Sequence, residues 1–418
     1  MRGMFFLLFM IVLSLFSVGT IILWNYIRRG NRYMAKIAMS LAVTVVACGE
    51  LSLYGTAYQN MEPSFWLDII HGGALASVSW LMAFLLAFPV ILVVAIMVAI
   101  ARLFRAPQKD RADQSQIPVQ ATGLSRRKFL TYASTAIPAA ALLTSTVGNV
   151  VGESYLDVTH NDLFYPDLPD YLDSYRIGQI SDTHIGLFFS PKDLEEAILR
   201  LAEENVQRLE ITGDLIDELS RLSACRDVLN RTAPLFPDGI DFCYGNHEYY
   251  RGFQAITDML AQTPVRVLRN ESFCVSPGRG ENMAHQSGNS LRPFYIAAVD
   301  FSFAPKGPED DARRENYTAQ ALSQVPDDAF TVMLAHNSSF IDEAFSHHIP
   351  LLMSGHTHGA QFALIGPVVE AVGFKYLRGM YQKDGCYGYV NRGTGHWIPF
   401  RVLCSREATV YTLRKGTT

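Results

Sequence analysis

Five short stretches of this 418-residue chain carry histidine, aspartate and asparagine where they could do chemistry together. The last, Gly355-His356-Thr357-His358-Gly359, follows the apolar run Ile349 to Met353, which reads as a buried strand. On extended backbone, residues i and i+2 project to one side, so both imidazoles can aim at one centre. The flanking glycines let the chain turn sharply and leave room for a bound group. A His-x-His pair alone carries little weight, because plain surface histidines look the same. Its weight comes from four upstream stretches that end strands in the same way. These are Asp182-Thr183-His184, Gly213-Asp214-Leu215-Ile216-Asp217, Gly245-Asn246-His247-Glu248 and Ala335-His336-Asn337.

The elements that would position them are legible from about Tyr155 onward. Arg176–Ile180, Leu209–Ile211, Ile240–Tyr244 and Phe330–Leu334 read as strands leading into the four upstream stretches. Ser190-Pro191 looks like an N-cap and first-turn pair opening a helix through about Glu204, and a second helix follows Asp217 through about Arg231. Strands alternating with helices argue an α/β layered domain with its site at the carboxyl ends of the strands.

Taken together and in this order, the five motifs resemble those of the calcineurin-like metallophosphoesterases, over roughly residues 155 to 415. The resemblance implies a β-sandwich flanked by helices and a centre of two divalent cations. Asp182, His184 and His358 would hold the first cation, Asp214 would bridge both, and Asn246, His336 and His356 would complete the second. A carboxylate has two oxygens with which to bridge cations roughly 3.5–4 Å apart. Imidazoles mixed with carboxylates suit Mn²⁺, Fe or Zn²⁺ better than Ca²⁺, with Mg²⁺ as a further option. The family's nucleophile is a hydroxide shared by the metals, attacking phosphorus in line. His247 would be the catalytic histidine at the leaving oxygen, and Asp217 would orient it and keep it cationic. Glu248 is a candidate for an outer, supporting role. No departure from the ligand pattern is visible. Further stretches resemble a membrane-associated, exported subgroup: Ile180–Gly186, Leu268-Arg269-Asn270-Glu271, and Gly393–Gly395 with Ile398-Pro399-Phe400-Arg401.

The rest of the chain bounds where such a site would work. Hydrophobic content of 49% and a mean hydropathy of +0.12 are high, and the excess lies in residues 1 to about 104. Three apolar runs there, Met4–Ile27, Ile37–Tyr58 and Trp66–Phe104, are long enough to cross a bilayer, the third either as one helix or as two broken near Pro89. Arg28, Arg29, Arg32 and Lys36 on one loop, and Arg102, Arg105, Lys109 and Arg111 after the third run, fall on the same cytoplasmic side only if the third run is a single helix. Three spans with the N-terminus outside are therefore expected, making residues 1–104 an all-α transmembrane region. Glu50 inside the second span is either functional or hydrogen-bonded to a neighbouring helix. Residues 105–124 read as a polar cytoplasmic linker. Ser125-Arg126-Arg127-Lys128-Phe129-Leu130, with the modestly apolar stretch to about 152, resembles a twin-arginine export signal; a fourth span is the alternative. Either way, the following domain would lie outside the cytoplasm.

A net charge of -5 gives no reason to propose nucleic acid as a partner, and six scattered cysteines suggest neither a zinc ribbon nor a disulfide framework. His347, His348 and His71 read as bland surface or helix-end residues, while His396 could touch substrate. The expected function is a membrane-anchored phosphodiesterase acting on a lipid or cell-envelope phosphoester. Family members that cleave the pyrophosphate of a nucleotide-linked lipid precursor fit less well, because their substrate is cytoplasmic. The alternatives are a scaffold of the same fold that binds a protein partner, or an accessory hydrolase of a transport or sensing bundle.

Overall fold

In the computed structural model, the described residues are 2–28, 33–60, 65–103, 126–275, 292–362, 366–371, 373–396 and 400–417. The linker 105–124, Ser125, Arg29, Arg32, Arg105, Lys109, Arg111 and residues 397–399 lie outside them. The chain divides into two compact units, 1–150 and 151–418.

The first unit is helical: α1 (Arg2–Arg28), α2 (Tyr33–Asn60), α3 (Phe65–Leu103) and α4 (Arg126–Ser154). Two helices, through Lys36–Leu53 of α2 and Phe65–Leu103 of α3, are long and apolar enough to cross a membrane. α3 runs unbroken through Pro89, so the third apolar run is one helix. Small polar groups join the helices. The hydroxyls of Ser17 and Ser40 lie 2.6 Å apart, and Asn149 Nδ2 donates to Ser79 Oγ at 2.6 Å. Glu50 packs against the bare backbone of Gly73, where a Cβ would stand 3.0 Å from its Oε2.

The second unit is a sandwich of two six-stranded sheets. Its strands are β1 (Leu156–Tyr165), β2 (Arg176–Ile180), β3 (Arg208–Ile211), β4 (Ile240–Cys243), β5 (Arg266–Leu268), β6 (Glu271–Cys274), β7 (Phe294–Ala298), β8 (Phe330–Leu334), β9 (Leu351–Ser354), β10 (Gly379–Lys383), β11 (Cys386–Val390) and β12 (Arg406–Lys415). One sheet runs β1-β12-β2-β3-β4-β5 and the other β10-β11-β9-β8-β7-β6. Strand periodicity assigns the layers. Phe330, Val332 and Leu334 of β8 join Ile177 and Tyr411 of the facing sheet in the inner core. The intervening Met333 turns outward to Ile341 and Ala344 of α8 (Ile341–Ser346). On the opposite flank, Leu209, Ile211 and Phe242 pack with α5 (Pro191–Glu203), α6 (Leu222–Thr232) and α7 (Phe253–Leu260).

Local chemistry explains α5. Ser190 and Asp193 form a reciprocal capping box ahead of Pro191 at the first helical position. Leu194, Ala197, Ile198 and Leu201 then fall on one buried face at helical spacing. Burying each large aliphatic side chain there contributes about 1.5–3 kcal/mol before entropy is subtracted. The helix is thereby pinned against the sheet, and β2, β3 and β4 run parallel in register.

Candidate metal centre

The motifs leave the carboxyl ends of β2, β3 and β4 in one sheet and of β8 and β9 in the other, and the two sets meet. The backbone turns there in an unusual way. Asp182, His184, Asp214, His356 and His358 all have positive φ, between 48° and 73°. Non-glycine residues rarely hold the left-handed region, which costs of order 1–3 kcal/mol each and is concentrated at functional sites. The turn folds each side chain back across its strand end. Gly355 makes the approach feasible: a Cβ there would stand 1.9 Å from Ser181 Oγ and 2.2 Å from Asp182 Oδ2.

Among the described residues three groups of donors result: Asp182 with His184 and His358, Asp214 with His336 and His356, and His184 with Asp217 and His247; the first two match the expected ligand sets. In the first, His184 Nε2 and His358 Nε2 are 3.0 Å apart, and His358 Nε2 lies 3.5 Å from Asp182 Oδ1. In the second, His336 Nε2 lies 3.2 Å from His356 Nδ1 and 3.1 Å from Asp214 Oδ2. Asp214 Oδ2 also lies 3.7 Å from His184 Nε2, so this one oxygen stands between the groups. Nitrogens each about 2.0–2.1 Å from a shared cation would stand roughly 3.0–3.4 Å apart, which is the spacing seen. Asn246 adds a further sign. Its Oδ1 is buried without a hydrogen-bond partner among the described residues, as expected of an oxygen reserved for a cation. The donor set therefore fits two divalent metals.

Protons take the place of cations in the metal-free cluster, unevenly. Burial pushes the imidazolium of His336 down, but the carboxylates of Asp214 and Asp182 outweigh it and hold His336 up to about 10. His184 is likewise lowered by burial and raised more by Asp217, Asp214 and Asp182, to about 9. Burial and the neighbouring His336 push His356 down to about 3. For Asp214, burial raises the carboxyl and His336 lowers it further, leaving it well below the carboxylate range.

Metal must displace the protons of His184 and His336. Binding should therefore release protons and tighten as pH rises from about 6 to 9, as calorimetry in buffers of different ionisation enthalpy would read. In the metal-free protein, the raised histidines favour the fold fully below about 6.5, the ordinary value, and that contribution fades as pH rises through about 9 to 10. A metal affinity independent of pH, with no proton released, would contradict this assignment.

Around the donors sits a supporting layer. Asp217 Oδ1 lies 2.6 Å from His247 Nδ1 and 3.3 Å from His184 Nδ1, so one carboxylate orients both rings by the nitrogens that face away from the centre. Burial would raise Asp217, but His184 and His247 hold it well below the usual range. Arg251, which the motif reading did not single out, donates to the other oxygen of Asp217 at 2.9 Å. Glu248, fully buried, accepts the amide protons of Asp214, Leu215 and Gly245 at 2.7–3.0 Å, riveting two motif loops together. His247 donates its own amide to Asp214 Oδ1 at 2.8 Å and remains partly exposed at the mouth. Arg401 is buried, donates to the carbonyls of Gly395 and Gly393, and comes within 3.3 Å of His358 Nδ1. His347 and His348 are exposed, and His396 is buried.

Residues 175–360 match the family model of the calcineurin-like phosphoesterases. The chain is 28% identical over 302 residues to the uncharacterized metallophosphoesterase YkuE of Bacillus subtilis (strain 168), spanning 70% of this chain and 98% of that protein. It is 24% identical over 432 residues to a transmembrane protein with metallophosphoesterase domain of Danio rerio, spanning 98% and 89%. It is 23% identical over 316 residues to the UDP-2,3-diacylglucosamine pyrophosphatase LpxG of Chlamydia muridarum, spanning 67% and 96%. Fold, donor set and these matches together support placing the globular unit in the calcineurin-like metallophosphoesterase superfamily, a class of phosphoester hydrolases with dinuclear metal centres.

Proposed function

We propose that this chain is a membrane-anchored phosphodiesterase acting on a lipid or cell-envelope phosphoester outside the cytoplasm. The observation that carries the reading is the convergence of two donor groups on either side of Asp214, with His247 tethered beside them by Asp217. In this reading Asp182, His184 and His358 would hold one cation, Asn246, His336 and His356 would hold the other, and Asp214 would serve both. Bound cations would neutralise charge on the phosphoryl oxygens and activate water as the nucleophile. His247 gives its proton to the departing oxygen, and Asp217 keeps the imidazole oriented for the transfer.

Membrane attachment is supported by the two long apolar helices and the transmembrane relative. The extracytoplasmic orientation of the globular unit rests on the basic residues flanking the first three helices and on the export-signal resemblance at Ser125–Leu130, with α4 as a fourth span. A lipid-linked substrate is supported by the relative named for a diacylglucosamine pyrophosphate.

The test uses the full-length chain in detergent, chelated and then supplied with Mn²⁺, Zn²⁺ or Mg²⁺. Bis(4-nitrophenyl) phosphate, 4-nitrophenyl phosphate and a UDP-linked sugar are offered in parallel. Metal-restored hydrolysis of the diester above the monoester is expected. Faster monoester turnover would redirect the reading to a phosphatase, and preference for the UDP-sugar would favour pyrophosphate cleavage as in the named relative. Bound metal without turnover of any of them would favour a scaffold.

A further inference from the structure

An arc of aromatic rings runs along one side of the donor cluster. From His356 it passes to Phe301 (5.3 Å between centroids), to Phe303 (4.8 Å), to Tyr250 (5.9 Å) and back to His247 (5.9 Å). Its inner member, Phe301, is half-buried, but Tyr250 is 63% and Phe303 45% exposed. Such side chains normally bury their faces. Here they stand open beside His247 at the mouth of the site, within reach of an ester group that stays on phosphorus.

The arc is rigidly braced. Tyr249 stacks on Phe253 at 4.7 Å and meets the edge of Phe303 at 5.1 Å. Its hydroxyl donates to Asp300 Oδ1 at 2.6 Å, and the same oxygen accepts the amide of Phe301. Asp300 is fixed in turn by Arg269, whose Nε donates to Oδ2 at 2.7 Å, and by Asn270, whose Oδ1 accepts its amide at 2.8 Å. Thus Arg269 and Asn270, from the stretch Leu268-Arg269-Asn270-Glu271, brace the aromatic wall through Asp300. Arg269 pairs with Asp300 at 2.7 Å, so the carboxylate behind Phe301 and Tyr249 is neutralised.

We infer that Tyr250 and Phe303 form the subsite for an alkyl chain in an ester group of the substrate. This rests on the phosphodiesterase reading and narrows its substrate class to esters of long-chain alcohols or acylated carriers. The shape of the pair decides the occupant. The two rings meet at 60°, forming a V rather than the parallel slot that would clasp a planar base. A flexible chain conforms to a V and removes both ring faces from water.

The experiment compares 4-nitrophenyl methyl phosphate with 4-nitrophenyl decyl phosphate, using metal-loaded full-length protein at constant detergent and with both esters monomeric. Wild type should show a kcat/KM for the decyl ester at least roughly ten-fold above the methyl ester, since several methylenes leave water. Tyr250→Ser and Phe303→Ser should each lower that ratio, and the double variant should bring it within about two-fold of unity. Leu235→Ser, which alters an exposed leucine ahead of the amino-terminal end of β4, should keep it. Hydrolysis without chain preference, or a preference that survives in the double variant, would overturn the subsite alone. Absence of metal-restored hydrolysis of either ester would remove the enzyme reading and the subsite with it. Thymidine 5′-(4-nitrophenyl phosphate) completes the series: a preference for it over the decyl ester, lost in the serine variants, would assign the wall to a base and overturn the alkyl chain.

Discussion

Asp214→Asn is expected to abolish hydrolysis while leaving the fold in place. The substitution keeps the shape and the Oδ1 acceptor for the His247 amide, now at 2.8 Å. It removes the anionic oxygen that stands 3.1 Å from His336 Nε2 and 3.7 Å from His184 Nε2. An amide NH₂ placed there can donate to a neutral imidazole, so the metal-free protein retains a partner for it. It cannot bridge two cations. Charge stabilisation of several kcal/mol would be lost from the transition state, a fall of about 10³-fold or more in kcat/KM. Metal content by elemental analysis should drop below two per chain, while the circular dichroism spectrum should stay native. The metal-free protein should melt somewhat lower than wild type below about pH 6.5, where Asp214 no longer holds His336 and His184 up. Two metals per chain with activity within about ten-fold of wild type would remove Asp214 from the centre.

That prediction rests on residues legible in the sequence, because chemistry at a strand end leaves local marks. Glycine beside aspartate or histidine, directly after an apolar run, is a short-range pattern. β2 and β8 accordingly begin and end where the apolar runs predict. The supporting residues are marked only in part: Asp217 and Glu248 stand in the motifs, but their partners are distant in the chain and leave no such mark. Glu248 reaches the amides of Asp214 and Leu215 from more than thirty residues away. Arg251 is one of many arginines until the fold lays it on Asp217. The ten-residue strands β1 and β12 pair in parallel from opposite ends of the globular unit. The burial of β1 alternates from Thr159 to Tyr165, but the polar run Thr159-His160-Asn161-Asp162 hides that period in the sequence. Arg208 reads as a surface residue, yet it is fully buried between Glu210 and Asp241 inside the sheet layer. Its cost is offset by that pairing and by the rings of Phe273 and Phe294, which no single residue announces. The left-handed backbone at five of the expected ligands is likewise invisible from composition, although aspartate and histidine tolerate it better than most side chains.

His247→Gln should impair the enzyme in a way that depends on the leaving group, and this separates proton donation from simple charge stabilisation. Nδ1 of His247 is held by Asp217 at 2.6 Å, which directs the other nitrogen toward the mouth of the site. An alkoxide is a poor leaving group and needs a proton as its bond to phosphorus breaks, whereas 4-nitrophenolate leaves without one. Loss of general acid catalysis is worth about 10²–10⁴-fold when the proton is needed. With a substrate that expels an alkyl alcohol, kcat should fall by that factor; with one that expels 4-nitrophenolate, the fall should be about ten-fold or less. Asp217→Asn should reproduce the pattern more weakly, by about 10–100-fold on the alkyl leaving group, and should also loosen metal because the same carboxylate orients His184. Equal losses on both leaving groups would mean that His247 acts on the phosphoryl charge rather than on the departing oxygen. Its partner Asp217 would then serve chiefly to seat His184. The two roles differ in the slope of rate against leaving-group basicity, which a graded series of phenyl esters measures directly: proton donation by wild type keeps the slope shallow, and its removal makes it steep.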